Sequence, residues 1–192
     1  MAQFARPDSD LSTGGWTAQG QTNLYECVDE ETANDDADYI LAEGDTTCEL
    51  GLSDVNDPNS STGHIIRFRI KSTGSKAPER CQVDLYQGTT LIASTGTQSS
   101  RDAYSSFEYT LTAIEADSIG NYADLRFKII SSNLDTGETM RCTWVELEVP
   151  DAGLQPGWNK LAYASEPPTP NAWNQLKDAG GTGWVQIKYE GE

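Results

Sequence analysis

The chain has 192 residues and carries 30 Asp or Glu against 13 Lys or Arg, a formal net charge of −17 and a pI near 4.2. That length suits one ordinary domain plus an appendage. The charge argues against nucleic acid held through phosphate contacts, and no run of 18 apolar residues offers a membrane span.

Residues 1–20 contain RPDSDLSTGGWT, rich in Pro, Gly, Ser and Asp, with Phe4 and Trp16 as the aromatics. The segment reads as an extended arm that docks through Trp16, because an indole normally finds something to bury against. The opening MAQFARPDSD lacks an apolar core after its charges, so no secretory signal is expected. From Pro7 to Ile66 there is no cation, while 14 acids occur, densest from Asp29 to Asp45. Strands are expected at 23–28, 39–41 and 48–52, with the acids forming a solvated rim. Asp54-Val55-Asn56-Asp57-Pro58-Asn59 adds oxygen ligands, yet the spacing fits no EF-hand loop, so no metal is expected.

The segment from His64 to Ala93 organises the chain. Ile66, Phe68 and Ile70 alternate with Arg67, Arg69 and Lys71, and Cys81, Val83 and Leu85 alternate with Gln82 and Asp84. Period two places each apolar set on one face. The two strands read as a central hairpin that a second sheet must cover, and Gln87-Gly88-Thr89 turns the chain back. His64 reads as a hydrogen-bonded residue at a strand start. Further strands follow at Phe107–Leu111, at Leu125–Ile129 and at Met140–Val149, with Val145, Leu147 and Val149 inward and Trp144, Glu146 and Glu148 outward. The link AIEADSIGNYA suits a helical turn. If the strands of Arg67, Arg69, Lys71 and of Arg126, Lys128 shared a sheet, five cations would form a basic stripe. Solvated pairing with neighbouring acids is the plainer reading.

Cys27, Cys48, Cys81 and Cys142 are scattered, with no CxxC pair and only one histidine, which argues against structural zinc. Strand phase points Cys48 and Cys81 inward, and Cys27 and Cys142 outward. Free thiols are the default, with Cys27–Cys142 and Cys48–Cys81 bridges as the alternative in an oxidising compartment.

After Pro150 the composition changes. GWNKLAY (157–163) and GWVQIKY (183–189) repeat one pattern 26 residues apart, and PPTPNAWNQLKDAGG between them suits a short helix carrying Trp173 and Leu176. The expected architecture is all-β: a jelly-roll-like antiparallel β-sandwich over 21–150, an extended N-terminal arm over 1–20, and a small C-terminal β-α-β appendage over 151–192. No phosphate loop, no GxSxG serine and no histidine-supported nucleophile occurs, so the chain reads as non-enzymatic and needs no cofactor.

Arg6-Pro7, Ser9-Asp10, Gly15-Trp16-Thr17, Leu24-Tyr25, Asp29-Glu30 and Asp36-Ala37-Asp38-Tyr39-Ile40 resemble a segment common to structural proteins of tailed bacteriophages. The likeness runs on to Glu148-Val149-Pro150, and the C-terminal repeat is similar to short modules appended to phage virion proteins. Cys27 and Cys48 depart from it, standing where apolar residues are expected. The resemblance implies a virion structural protein assembled in the host cytoplasm, most concretely a capsid decoration protein. Its partners would be the major capsid or another virion protein and further copies of itself. Partner-binding residues would be Arg6, Trp16, Trp158, Tyr163, Trp173, Trp184 and Tyr189, the indoles acting as anchors. The alternative is a carbohydrate-binding module or adhesin of jelly-roll type that offers Trp144, Tyr86 and Tyr104 to a surface glycan. A filament or surface-layer subunit is a third reading.

Deleting residues 151–192 is expected to leave a folded sandwich and to abolish incorporation into particles, measured by thermal melting and by particle occupancy. A truncated chain that fills its sites would remove the tail from the docking.

Overall fold

A computed structural model describes residues 2–74 and 79–151 in full, together with the backbone of Trp173–Lys177 and Trp184–Lys188. Residues 2–151 form a jelly-roll-like sandwich of two antiparallel sheets. The strands in chain order are β1 (Gln3–Ala5), β2 (Pro7–Ser12), β3 (Trp16–Gln19), β4 (Tyr39–Ala42), β5 (Thr46–Leu52), β6 (Ile65–Thr73), β7 (Arg80–Gln87), β8 (Thr90–Ser94), β9 (Ser105–Thr110), β10 (Leu125–Ser132) and β11 (Thr139–Val149). One sheet runs β3-β4-β11-β6-β9 with β1 also on β11, and the other runs β2-β5-β10-β7-β8.

The alternation of β6 and β10 is carried into the fold residue by residue. Ile66, Phe68 and Ile70 are enclosed from one sheet, and Leu125, Phe127 and Ile129 from the other. Burying a side chain of this size contributes roughly 1.5–3 kcal/mol. The expected hairpin of β6 and β7 is instead split between the sheets. The two apolar faces cover each other, which satisfies both strands at once. The same split puts Arg67, Arg69 and Lys71 on one sheet and Arg126 and Lys128 on the other, so the basic stripe does not form. Their partners are acids that the fold brings beside them: Glu108 with Arg67, Asp35 with Arg69, Asp36 with Lys71, and Glu49 with Arg126 and Lys128.

The N-terminal segment is extended, as expected, but it is paired: β1 on β11, β2 on β5 and β3 on β4. It therefore belongs to both sheets. Gly14 makes the crossing possible, since its φ is +54° and a Cβ there would collide with the Thr47 carbonyl. The strand expected at 23–28 is a 3₁₀ turn over Tyr25–Cys27. The Asp10 carboxylate accepts from the Leu24 and Tyr25 amides at 2.9 and 2.8 Å, which rewards the turn over an extended chain.

All four cysteines are free and buried, so the outward placement of Cys27 and Cys142 is corrected. Cys27 sits in the 3₁₀ turn, where strand parity has no meaning. In β11 the pairing with β6 slips between Cys142 and Trp144. That bulge at Thr143 lets Met140 and Cys142 point inward on one side of it and Val145, Leu147 and Val149 on the other. Helix α1 (Ala113–Asp117) occupies the link before β10, with a capping box between Thr112 and Glu115. His64 is enclosed just before β6, with Nε2 2.8 Å from the Tyr122 hydroxyl.

The C-terminal pair, β12 (Trp173–Lys177) and β13 (Trp184–Lys188), is an antiparallel hairpin with Trp173 opposite Lys188 and Lys177 opposite Trp184. The helix expected to carry Trp173 and Leu176 is thus a strand. The five residues Trp173–Lys177 find their backbone partners in Trp184–Lys188, in register along the whole pair. The GWNKLAY half of the repeat lies outside the described residues.

Phe68→Ala and Phe127→Ala are each expected to cost about 3–5 kcal/mol in urea unfolding of the whole chain. A loss below about 1 kcal/mol at either would contradict the two-sheet core.

Candidate functional site

Three outward aromatics were expected as platforms, and their surroundings separate them. Tyr86 has the Lys128 ammonium 4.4 Å from its ring centroid. The Tyr104 ring takes Lys71 at 4.3 Å and Arg69 at 5.5 Å, and its hydroxyl donates to Asp36 at 3.2 Å. These rings are engaged by cations of their own chain. Trp144 instead lines a pocket of about 360 Å³, together with Glu31, Thr32, Ala33, Asp35, Arg69 and Ser106. That volume is at the lower end of what small-ligand sites use.

The pocket follows from local structure. The bulge at Thr143 turns Trp144 to the outside of its sheet, where it faces Arg69 of β6 in the ladder. Ser106 of β9 is Arg69's neighbour on the far side. One face of the pocket is therefore sheet. The other face is the acidic loop 29–38, and the loop is held down at several points. The Trp144 indole Nε1 donates to the Glu30 carbonyl at 2.9 Å. Thr143 Oγ1 lies 3.1 Å from Asn34 Oδ1, 3.0 Å from the Asp35 carbonyl and 3.1 Å from the Asp38 carbonyl. Arg69 grips Asp35 through Nε at 2.5 Å and Nη2 at 2.9 Å, and reaches Ser106 through Nη1 at 3.3 Å. Asp36 accepts from Lys71 and from Arg141, each at 2.9 Å.

These cations set the charge state of the wall. Arg69 beside Asp35, and Lys71 beside Asp36, hold both carboxyls below the usual carboxylate range. Both stay ionised at neutral pH. Behind them the sign reverses: burial, then Asp38 and Asp29, pushes Glu30 up to about 7. The expected solvated rim is thus partly a clamp. Asp35 and Asp36 neutralise the outer-face cations, and the acids behind them are short of cationic partners.

Chemically, the indole supplies a flat apolar surface. Around it stand two carboxylates, a guanidinium already committed to Asp35, and the hydroxyl side chains of Thr32 and Ser106. Such a surface suits a ligand with one apolar face and several hydroxyl groups on its edge.

The residues expected to bind a partner fall elsewhere. Trp16 is 3% exposed and belongs to the core of its own chain, so it presents no anchor. Its parity on β3 turns it inward opposite Ala42. Arg6 donates to Glu146 at 2.9 Å and lies over the Phe4 ring at 5.2 Å, which makes it a bond within the subunit. Trp158, Tyr163 and Tyr189 lie outside the described residues, as do the side chains of Trp173 and Trp184. Sequence reasoning found Trp144 but missed Glu30, Asp35 and Thr143; the dense acids facing three alternating cations were the available signal.

No protein-family model matches the chain, and no curated protein matches it. Among solved structures, the xylan-binding module CBM15 aligns over 78% of this chain and 97% of its own, at 10% identity and a TM-score of 0.46. The C-terminal CBM6 of LamC, a marine laminarinase from Zobellia galactanivorans, covers 78% and 100% at 13% identity and a TM-score of 0.39. The Stig cyclase Fisc from Fischerella sp. TAU covers 76% and 89% at 12% identity and a TM-score of 0.42. This chain is therefore similar, at low identity, to carbohydrate-binding modules and also to an enzyme. The likeness assigns no residue a role, and the fold stands on the strand pairings themselves.

Proposed function

We propose that the sandwich is a non-catalytic carbohydrate-binding body, and that Trp144 is the platform on which a sugar ring stacks. The single observation behind this reading is an indole that lines a pocket together with two carboxylates, two hydroxyl side chains and a guanidinium held by one of those carboxylates. A pyranose has an apolar C–H face and an equatorial belt of hydroxyls, and the pocket offers a partner to each. Asp35 is locked to Arg69 and ionised, which makes it a hydrogen-bond acceptor and a poor proton donor. Binding without turnover fits such a wall better than acid–base chemistry does.

Placement on a virion is a separate proposal, carried by the resemblance of residues 6–40 and compatible with this one. A decoration protein whose exposed sheet holds surface glycan would serve adhesion of the particle. Its docking anchors would then be Trp158, Trp173 and Trp184, since Trp16 is committed to the core.

A glycan array followed by calorimetry tests the reading. The full chain is expected to bind a subset of neutral oligosaccharides. Trp144→Ala is expected to weaken that binding at least about tenfold, about 1.4 kcal/mol, while thermal melting still shows a cooperative transition. Silence across the array, or equal affinity in the variant, would overturn the assignment of this pocket.

A further inference from the structure

The acidic loop contains a second arrangement that the ligand-facing chemistry does not use. One amide group bridges Glu30 and Asp38: Asn34 Nδ2 donates to Glu30 Oε1 at 3.0 Å and to Asp38 Oδ1 at 2.5 Å. Each carboxyl also acts on the other's proton affinity, Asp38 raising that of Glu30 and Glu30 lowering that of Asp38. Gln21 Nε2 takes the other Asp38 oxygen at 3.0 Å, whereas Glu30 Oε2 is buried with no partner. Asp38 itself is 6% exposed. Two carboxyls within reach of one amide group in a partly desolvated site repel when both are ionised, and a proton on either relieves that repulsion.

The charged surroundings supply no substitute. From the loop itself Asp29 faces the pair, and from the 3₁₀ turn Glu26 acts on Asp29 and Cys27 lies within the field of both carboxyls. From β11, Thr143 and the Trp144 indole meet the loop, and Cys142 feels the Glu30 charge. Arg69, Lys71 and Arg141 are engaged by Asp35 and Asp36, and Arg6 by Glu146.

We propose that loop 29–38 is a pH-operated wall of the Trp144 pocket, shut in mildly acidic medium by a protonated Glu30–Asp38 pair and loosened when that proton is lost. The consequence for the site is direct, because the Glu30 backbone carbonyl is the acceptor of the Trp144 indole N–H. Repulsion between the two side chains acts on the residue whose carbonyl holds the indole N–H. This regulation rests on the carbohydrate reading only in its purpose, since the wall and its proton exist whatever the ligand is.

The direction follows from linkage. In the shut loop Glu30 titrates at about 7, and an opened loop returns it toward its ordinary 4.5. The shut form binds the extra proton between those values, so its advantage is lost as pH rises through that window and is constant above it. Burial works against Asp38, yet Gln21, Asn34 and Glu30 together outweigh it and leave Asp38 below its ordinary 3.8. Asp35 and Asp36 are lowered as well, so their contribution fails only in stronger acid. The wall is therefore most firmly shut between these limits.

Solvent exchange of the Trp144 indole N–H and the Ala37 amide, measured by NMR on the full chain and corrected for intrinsic base catalysis, reads the wall without any ligand. Protection is expected to fall about tenfold between about pH 6 and about pH 8.5 in the native sequence, the ratio set by the two Glu30 values. Glu30→Gln is expected to abolish the dependence, and Asp38→Asn to do the same should the first variant fail to fold. Protection that is flat in the native chain, or that falls equally in whichever variant folds, would overturn the proposal. Failure of glycan binding with the pH response intact would count against the carbohydrate reading alone.

Discussion

The extra residue in β11 at Thr143 is the constraint on which the outer face of its sheet depends. Strict alternation along this central strand could not bury both Cys142 and Val145. The bulge resolves the conflict and aims Trp144 outward, beside Arg69. It also places the Thr143 hydroxyl among the polar groups of the acidic loop. One inserted residue thereby determines where the indole points and which loop its N–H meets. Strand β11 pairs with β1, β4 and β6, so a shift of its phase would move a large share of one sheet.

The acidic composition acquires a physical meaning on that face. Half of the 26 acids among the described residues are exposed, and their effect is repulsion of like surfaces. In loop 29–38 it is divided into two populations. Asp35 and Asp36 meet cations from β6 and β11, in pairs exposed enough to be individually modest. Glu30 and Asp38 meet each other. Asn34 ties Glu30 and Asp38, near the two ends of the loop, while Asp35 and Asp36 between them hold it to the sheet.

Much of this was legible from residues alone. The alternation in Ile65–Thr73 and Leu125–Ser132 specified two half-buried strands and therefore two sheets. The outward phase of Trp144 was legible for the same reason. Where parity failed, a local device had replaced it: the bulge for Cys142, and for Cys27 a 3₁₀ turn fixed by Asp10 from 14 residues away. Residues 3–19 looked irregular because their partners lie far along the chain, Leu147–Val149 for β1 among them. The clamp on the loop was hidden similarly, since Asp35 and Arg69 are 34 residues apart and Asp36 and Arg141 are 105 apart. Composition shows that charges are present, and only topology brings them into register.

The central claim is that the working surface of this molecule is the outward indole of β11 and the wall beside it. An NMR titration of the full chain with the neutral oligosaccharide selected on an array tests it most directly, by mapping which resonances move. The account predicts shifts concentrated at the Trp144 indole N–H and at the amides of Glu31, Thr32, Ala33, Asp35, Arg69 and Ser106. Shifts gathered on the opposite sheet around Tyr86 and Lys128, with Trp144 unmoved, would contradict it.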